Sequence, residues 1–154
     1  MSDIEETQSH TPLDKVIKQW EIDAPVDETN PGKEIIKIPN LHAKYTKMLS
    51  EHSRIIRALN YKFFTMRKLR WEYYNGKLDK SILDHYKWDQ FPYTLKSDIN
   101  YYMDADPELA KISARKAMHE EAYKYCEMVI KELNNRVWEL KEFMSWEKFI
   151  TGQG

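Results

Sequence analysis

The sequence predicts an all-α protein. Glycine and proline are scarce (4 and 6 of 154 residues), charged residues make up 32%, and apolar residues recur in two long runs at spacings of three and four. Few breakers and many good helix formers favour helices, and dense charge suits long helices with exposed faces better than a compact two-sided sheet. Both apolar runs are close to heptad seams. The expected architecture is therefore a pair of long, antiparallel, coiled-coil-like helices preceded by one short helix. The length corresponds to one domain, or one domain with an arm.

Residues 1–11 are polar and acidic and are expected to be a disordered tail. Residues 12–32 hold a short helix and a linker. Leu13, Val16, Ile17 and Trp20 fall at helical spacing, with Asp14 near the helix start. Alone that helix is marginal, so its apolar face must dock elsewhere. Asp23 to Gly32, with two prolines and a glycine, reads as the linker. The first 34 residues carry nine acids against three lysines, an acidic arm able to lie across a basic surface.

Residues 33–154 form the helical body. Its first long helix is expected from Pro39 to Tyr74, along a seam running from Leu41 and Tyr45 through His52 and Leu59 to Tyr73. Asn75-Gly76 is a good stop, because both residues tolerate the left-handed conformation. Ser81 to Trp88 suggests a short helix and Tyr93 to Asn100 an extended segment. Asp106-Pro107-Glu108 is a clear helix start. The final helix, 106–150, repeats His119, Cys126, Leu133 and Leu140 every seven residues, with Tyr123, Ile130, Val137 and Met144 offset by four. A thin hairpin of two such helices leaves apolar surface uncovered, so self-association is expected. Tyr123, Ile130, Leu133, Val137, Leu140 and Met144 are the candidate interface between copies.

Chemistry of the catalytic kind is hard to find. The five histidines are scattered without metal-ligand spacing, and His52 and His119 on the seams read as satisfied core or interface residues. Cys126, the single cysteine, also lies on a seam and reads as buried and inert; it cannot form an internal disulfide. There is no glycine-rich phosphate loop and no nucleophile elbow. Neither an enzyme, a cofactor nor a metal is expected. The acidic start lacks the shape of a signal peptide, and no apolar run approaches the ~20 residues of a membrane span. A soluble cytoplasmic protein, away from membranes, is the expectation.

The charge distribution is more informative. The whole chain has a formal charge of −1, yet residues 54–80 hold eight cations (Arg54, Arg57, Lys62, Arg67, Lys68, Arg70, Lys77, Lys80) against Glu72 and Asp79. A near-neutral protein that concentrates its cations presents a local field to something anionic. The bland alternative, a solvated helix face, normally mixes signs; from Lys37 to Arg70 there are nine cations against Glu51 alone. These cations are interleaved with Tyr61, Phe63, Phe64, Trp71, Tyr73 and Tyr74, the mixture that holds a single-stranded backbone and stacks its bases. Phe63 and Tyr73 fall on the seam, whereas Phe64 and Trp71 project away from it. Arg70 shares the seam's phase and must find a counter-charge or reach out of the bundle. Lys68 points the opposite way.

At these residues the chain resembles the UvsY recombination mediator proteins of T-even-like phages. The resemblance is carried by Trp20 with Ile22-Asp23, by Ile38-Pro39-Asn40-Leu41-His42-Ala43-Lys44-Tyr45, by Arg70-Trp71-Glu72-Tyr73-Tyr74-Asn75-Gly76-Lys77, and by Leu95-Lys96-Ser97-Asp98. It implies a ring-like homo-oligomer, hexamer or heptamer. It also implies binding to single-stranded DNA and loading of a RecA-like recombinase onto DNA covered by single-strand-binding protein. A Lys-x-Arg motif before the Tyr-Tyr pair takes part in DNA binding in that family, which implicates Lys68 and Arg70; the flanking leucines are replaced here by Arg67 and Trp71. Arg67, Arg57, Lys62 and Lys77 are supporting candidates, and Trp71 is the stacking candidate. The reading from a different class is a structural coiled-coil adaptor whose basic stretch meets an acidic protein.

Overall fold

The computed structural model describes residues 10–92 and 95–152. The acidic tail expected at residues 1–11 lies, as far as Ser9, outside the described residues. Among the described residues the fold has five α-helices: α1 (Pro12–Asp23), α2 (Pro31–Tyr74), α3 (Lys80–Tyr86), α4 (Ile99–Asp104) and α5 (Pro107–Ile150), with a 3-10 turn at Lys96–Asp98. No strand occurs among them. The chain divides into two compact units, one built from the residues up to Arg54 together with those from Met118, the other from Ile55–Ala117. Both long helices contribute to both units.

In the first unit α1 begins with a capping box. The Thr11 hydroxyl accepts from the Asp14 N–H and the Asp14 carboxylate accepts from the Thr11 N–H, with Pro12 in the first turn. As its amphipathic pattern requires, α1 docks. Val16 is buried, and Trp20 meets Tyr45 edge to face at 5.6 Å. Asp23, at the end of α1, accepts from Lys44 Nζ (2.6 Å) and the Tyr45 hydroxyl (2.8 Å). No basic residue lies in α1's last turn. Arg136 of α5 supplies that charge instead, donating from Nη2 to the Ala24 carbonyl at 2.8 Å, where the helix dipole is negative.

Val16, Ile38, Tyr45, Ala122, Cys126, Val129, Leu133 and Leu140 form this unit's core. Pairings such as His52 with His119, Nδ1 to Nδ1 at 3.1 Å, run α2 and α5 antiparallel here. One heptad series is as expected, Cys126-Leu133-Leu140; the second buried series is Ala122-Val129-Arg136, one residue before the predicted one. This bears on the interface expectation. Leu133 is 0% exposed and Leu140 is buried within the same chain, so neither has surface to give a second copy, while Tyr123, Ile130, Val137 and Met144 are half-buried.

The first long helix starts eight residues before the predicted Pro39. Asn30 caps it: its Oδ1 accepts from the Lys33 N–H and its carbonyl from the Glu34 N–H, both at 3.3 Å, with Pro31 next. Pro39 therefore sits inside α2. It lacks the N–H that would bond the Ile35 carbonyl, a loss the packing of Ile35 and buried Ile38 offsets.

In the second unit α2 ends as expected. Gly76 is left-handed (φ 67°), and the Lys77 N–H returns to the Glu72 carbonyl at 2.9 Å. Lys87 (φ 58°) closes α3 in the same conformation. The extended segment expected from Tyr93 is corrected: Tyr93 and Thr94 are outside the described residues, but Lys96–Asp98 is a 3-10 turn that runs into α4. Leu59, Tyr74, Ile99, Leu109 and Ile112 are its buried apolar residues. Lys116 Nζ bonds Asn60 Oδ1 at 3.2 Å, and ten residues further along α2 Arg70 meets Asp106, ten residues earlier at the start of α5, so the two helices are antiparallel here too.

Candidate nucleic-acid interface

From Arg57 on the basic stretch lies in the second unit, and its geometry follows from one buried knot. Arg70 donates from Nε to Asp106 Oδ2 at 2.7 Å and from Nη2 to the Tyr74 hydroxyl at 3.2 Å. Tyr74 in turn donates to the same Asp106 oxygen at 2.5 Å. The other carboxylate oxygen accepts from the Leu109 N–H at 3.0 Å, capping α5. Burial would raise the Asp106 carboxyl, but the hydrogen bonds from Tyr74, the Leu109 N–H and Arg70 outweigh it and hold it below the ordinary 3.8. The same burial and the Asp106 carboxylate raise the Tyr74 phenol. For Arg70 burial pulls down, yet the bonds to Asp106 and Tyr74 win and the guanidinium is held more firmly protonated.

Aromatic rings close around the guanidinium. Its central carbon lies 4.3 Å from the Tyr73 ring centre and 4.5 Å from that of Trp88. Phe91 packs edge to face on Tyr74 at 4.9 Å, and Tyr102 stacks on Tyr74 at 5.6 Å. Arg70 thus finds the counter-charge that its position on the seam demanded. The resemblance pairs it with Lys68 as a DNA contact; in this fold it is 6% exposed and engaged by Asp106.

Lys68 is placed differently. Phe64, Arg67, Lys68 and Trp71 follow one another at helical spacings of three, one and three, so they fall within about 100° of one another around α2, with Lys68 about 160° from Arg70 and Arg67 about 60° from it. They line one side of a groove of about 690 Å³, with Phe63, Asn100, Met103, Asp104, Asp106, Leu109, Ala110 and Ser113 completing it. Phe64 and Trp71 are 56% and 42% exposed, and Arg67 and Lys68 are exposed beside them. Lys77 Nζ stands 4.8 Å from the Trp71 ring centre. Lys77 thereby joins the same cluster.

The remaining candidates divide. At about 100° per residue Arg57 falls within about 20° of Phe64 around the helix, whereas Lys62 falls about 160° away. Both are exposed, but neither lines the groove. Sequence reasoning missed the far wall. Asn100 and Asp104 belong to α4, in the segment without clear periodicity, and nothing local marks them as facing Lys68. Among the described residues no group of three His, Cys, Asp or Glu side chains is arranged to hold a metal ion. No helix of the described residues is long and apolar enough to cross a membrane.

No curated protein sequence matches the chain. Its fold is similar to crystal structures of the bacteriophage T4 recombination mediator protein UvsY. One, of lattice type I, has a TM-score of 0.75 at 18% identity and covers 88% of this chain and 98% of that one. Another, of lattice type II, has a TM-score of 0.76 at 18% identity and covers 90% and 97%. At such identity the likeness establishes the fold. The family follows from the sequence itself: the model described as "Recombination, repair and ssDNA binding protein UvsY" matches residues 19–153. Over that span of the chain, the resemblance seen in the Trp71 and Tyr73-Tyr74 region is confirmed, and the protein belongs to the UvsY family of recombination mediators.

Proposed function

We propose that this chain binds single-stranded DNA in the groove of the second unit and acts, without catalysis, as a recombination mediator. It loads a RecA-like recombinase onto DNA covered by single-strand-binding protein. The observation that carries the reading is the gathering of Arg67, Lys68, Phe64 and Trp71 along one groove. Cations there meet the phosphates and the exposed rings stack unpaired bases. Lys77 and Arg57 extend the positive field on either side. Arg70 is a positioning residue: by tying α2 to the start of α5 it sets the groove's width. A ring-like homo-oligomer repeats this modest site, so avidity arises without tight individual contacts. A strand held extended over several sites is loosened from its covering protein and exposed to recombinase.

The test is binding of a fluorescent single-stranded oligonucleotide across a salt series, for the wild type and for Arg67→Ala/Lys68→Ala, with oligomer mass measured alongside. Each single-strand phosphate contact contributes about −0.7 to the slope of log affinity against log salt. The double substitution should flatten that slope by about 1.4 per engaged subunit at unchanged mass. A wild type without salt-sensitive binding would sink the reading and leave the basic face to an acidic protein partner.

A further inference from the structure

The two walls of the groove differ in chemistry. The α2 wall offers donors and rings: Arg67, Lys68, Phe64 and Trp71. The opposite wall offers the Asp104 carboxylate, which only accepts, and the Asn100 amide, which donates as well as accepts, both of α4. Asp104, Arg67 and Lys68 are all exposed. Among the described residues no side-chain ion pair or hydrogen bond engages any of the three. Asp106, by contrast, has both oxygens committed to the knot. An uncommitted carboxylate on the wall of a cationic groove opposes the phosphate field, so a role as a backbone contact does not explain it. A base stacked on Phe64 or Trp71 with its plane across the groove would turn its hydrogen-bonding edge toward it.

We propose that Asp104 reads the edge of a stacked nucleobase and favours bases that carry an exocyclic amino group. Cytosine, adenine and guanine offer an exocyclic N–H₂ donor that a carboxylate accepts; in thymine and uracil the exocyclic groups are carbonyl oxygens that repel it, and only the N3–H between them donates. The inference rests on the groove being the single-strand site. It makes the protein selective for base chemistry rather than for sequence.

Oligo(dC) and oligo(dU) of equal length test the effect, since the bases differ only at C4, amino against carbonyl, and at the adjoining N3, acceptor against N–H donor. Affinities are measured at pH 8, where cytosine is unprotonated, for the full-length wild type and for Asp104→Asn. One hydrogen bond gained against one repulsion avoided gives about a 3- to 10-fold preference of wild type for oligo(dC) per site. The amide introduced by Asp104→Asn would donate as well as accept, so the ratio should fall to near unity. Loss of the negative charge strengthens binding of both oligonucleotides, so the ratio and not the affinity is the readout. Equal wild-type affinities, or a preference that survives in Asp104→Asn, would overturn the inference and leave the single-strand site standing. Absence of salt-sensitive binding to either oligonucleotide would overturn both.

Discussion

Arg70→Ala should act on this protein's stability more than on its contacts with DNA. The substitution strands Asp106, 0% exposed in its side chain, without the guanidinium that lies 2.7 Å away. Removing one partner of a buried pair costs about 3–5 kcal/mol. The lower part of that range applies, because the carboxylate keeps the Tyr74 hydroxyl and the Leu109 N–H. Lost contact with the Tyr73 and Trp88 rings adds to the cost, since a desolvated cation–π contact contributes up to ~2 kcal/mol. A net loss of about 3–4 kcal/mol corresponds to a fall in Tm of about 6–16 °C for a chain of this size. Urea titration of Arg70→Ala, Asp106→Asn and the double variant measures it. The double variant should lose less than the sum of the singles, by about 1.5–3 kcal/mol, because it strands no charge. Lys68→Ala, at an exposed position, should stay within about ±0.5 kcal/mol of wild type while losing oligonucleotide affinity. If Arg70→Ala loses less than about 1 kcal/mol and binding collapses all the same, Arg70 is a ligand contact and the positioning argument fails.

Other consequences are equally direct. Asp106 titrates below its ordinary value when folded, so its stabilisation is complete above the unfolded value near pH 3.9 and disappears as pH falls through the lower folded value; denaturation midpoints across about pH 2–5 should drop steeply in wild type and less in Asp106→Asn. His52 is also depressed, by burial against the weaker pull of Glu51. The unfolded chain therefore takes up the proton first, and stability should decline as pH falls below about 6.5, a slope that His52→Leu should reduce. Burial pushes the Cys126 thiol up to about 11, so Ellman's reagent at about pH 8 should leave it unmodified in the native protein and titrate it fully in guanidinium. Pro39→Ala restores an N–H for the Ile35 carbonyl and should raise the urea midpoint, by about 1–3 kcal/mol of stability.

Periodic elements are legible in the chain alone. The Cys126-Leu133-Leu140 series, the Asn75-Gly76 stop and the Asp106-Pro107 start all report local backbone preferences and one-dimensional spacing, which the chain carries in its order. The start of α2 departs from its expected place because proline is a bias toward a boundary and not a boundary itself; at Pro39 the packing of Ile35 and Ile38 overrides it, and the true signal is the Asn30-Pro31 cap. Arg70's need for a counter-charge can be read from its phase. Its partner cannot, because Asp106 lies 36 positions on and reads locally as a helix cap and nothing more. The groove is the extreme case. Its α2 wall follows from helical spacing, while Asn100 and Asp104 reach it only through tertiary folding of a segment with no periodicity of its own.

The clasp on α1 has a consequence for synthesis. Arg136 and Ala24 are 112 positions apart, and the rest of α1's docking surface on α5 also lies beyond residue 120. While the chain is being made, α1 is a twelve-residue helix too short to persist alone. At about 5–20 residues per second the ribosome takes roughly 6–20 s to deliver its partner. Through that interval α1 has only its contacts on α2, Trp20 against Tyr45 and Asp23 with Lys44 and Tyr45, while the side that packs on α5 stays uncovered. The element nearest the N-terminus is therefore the last to be secured, and a nascent chain halted before Arg136 exposes it to chaperones and proteases.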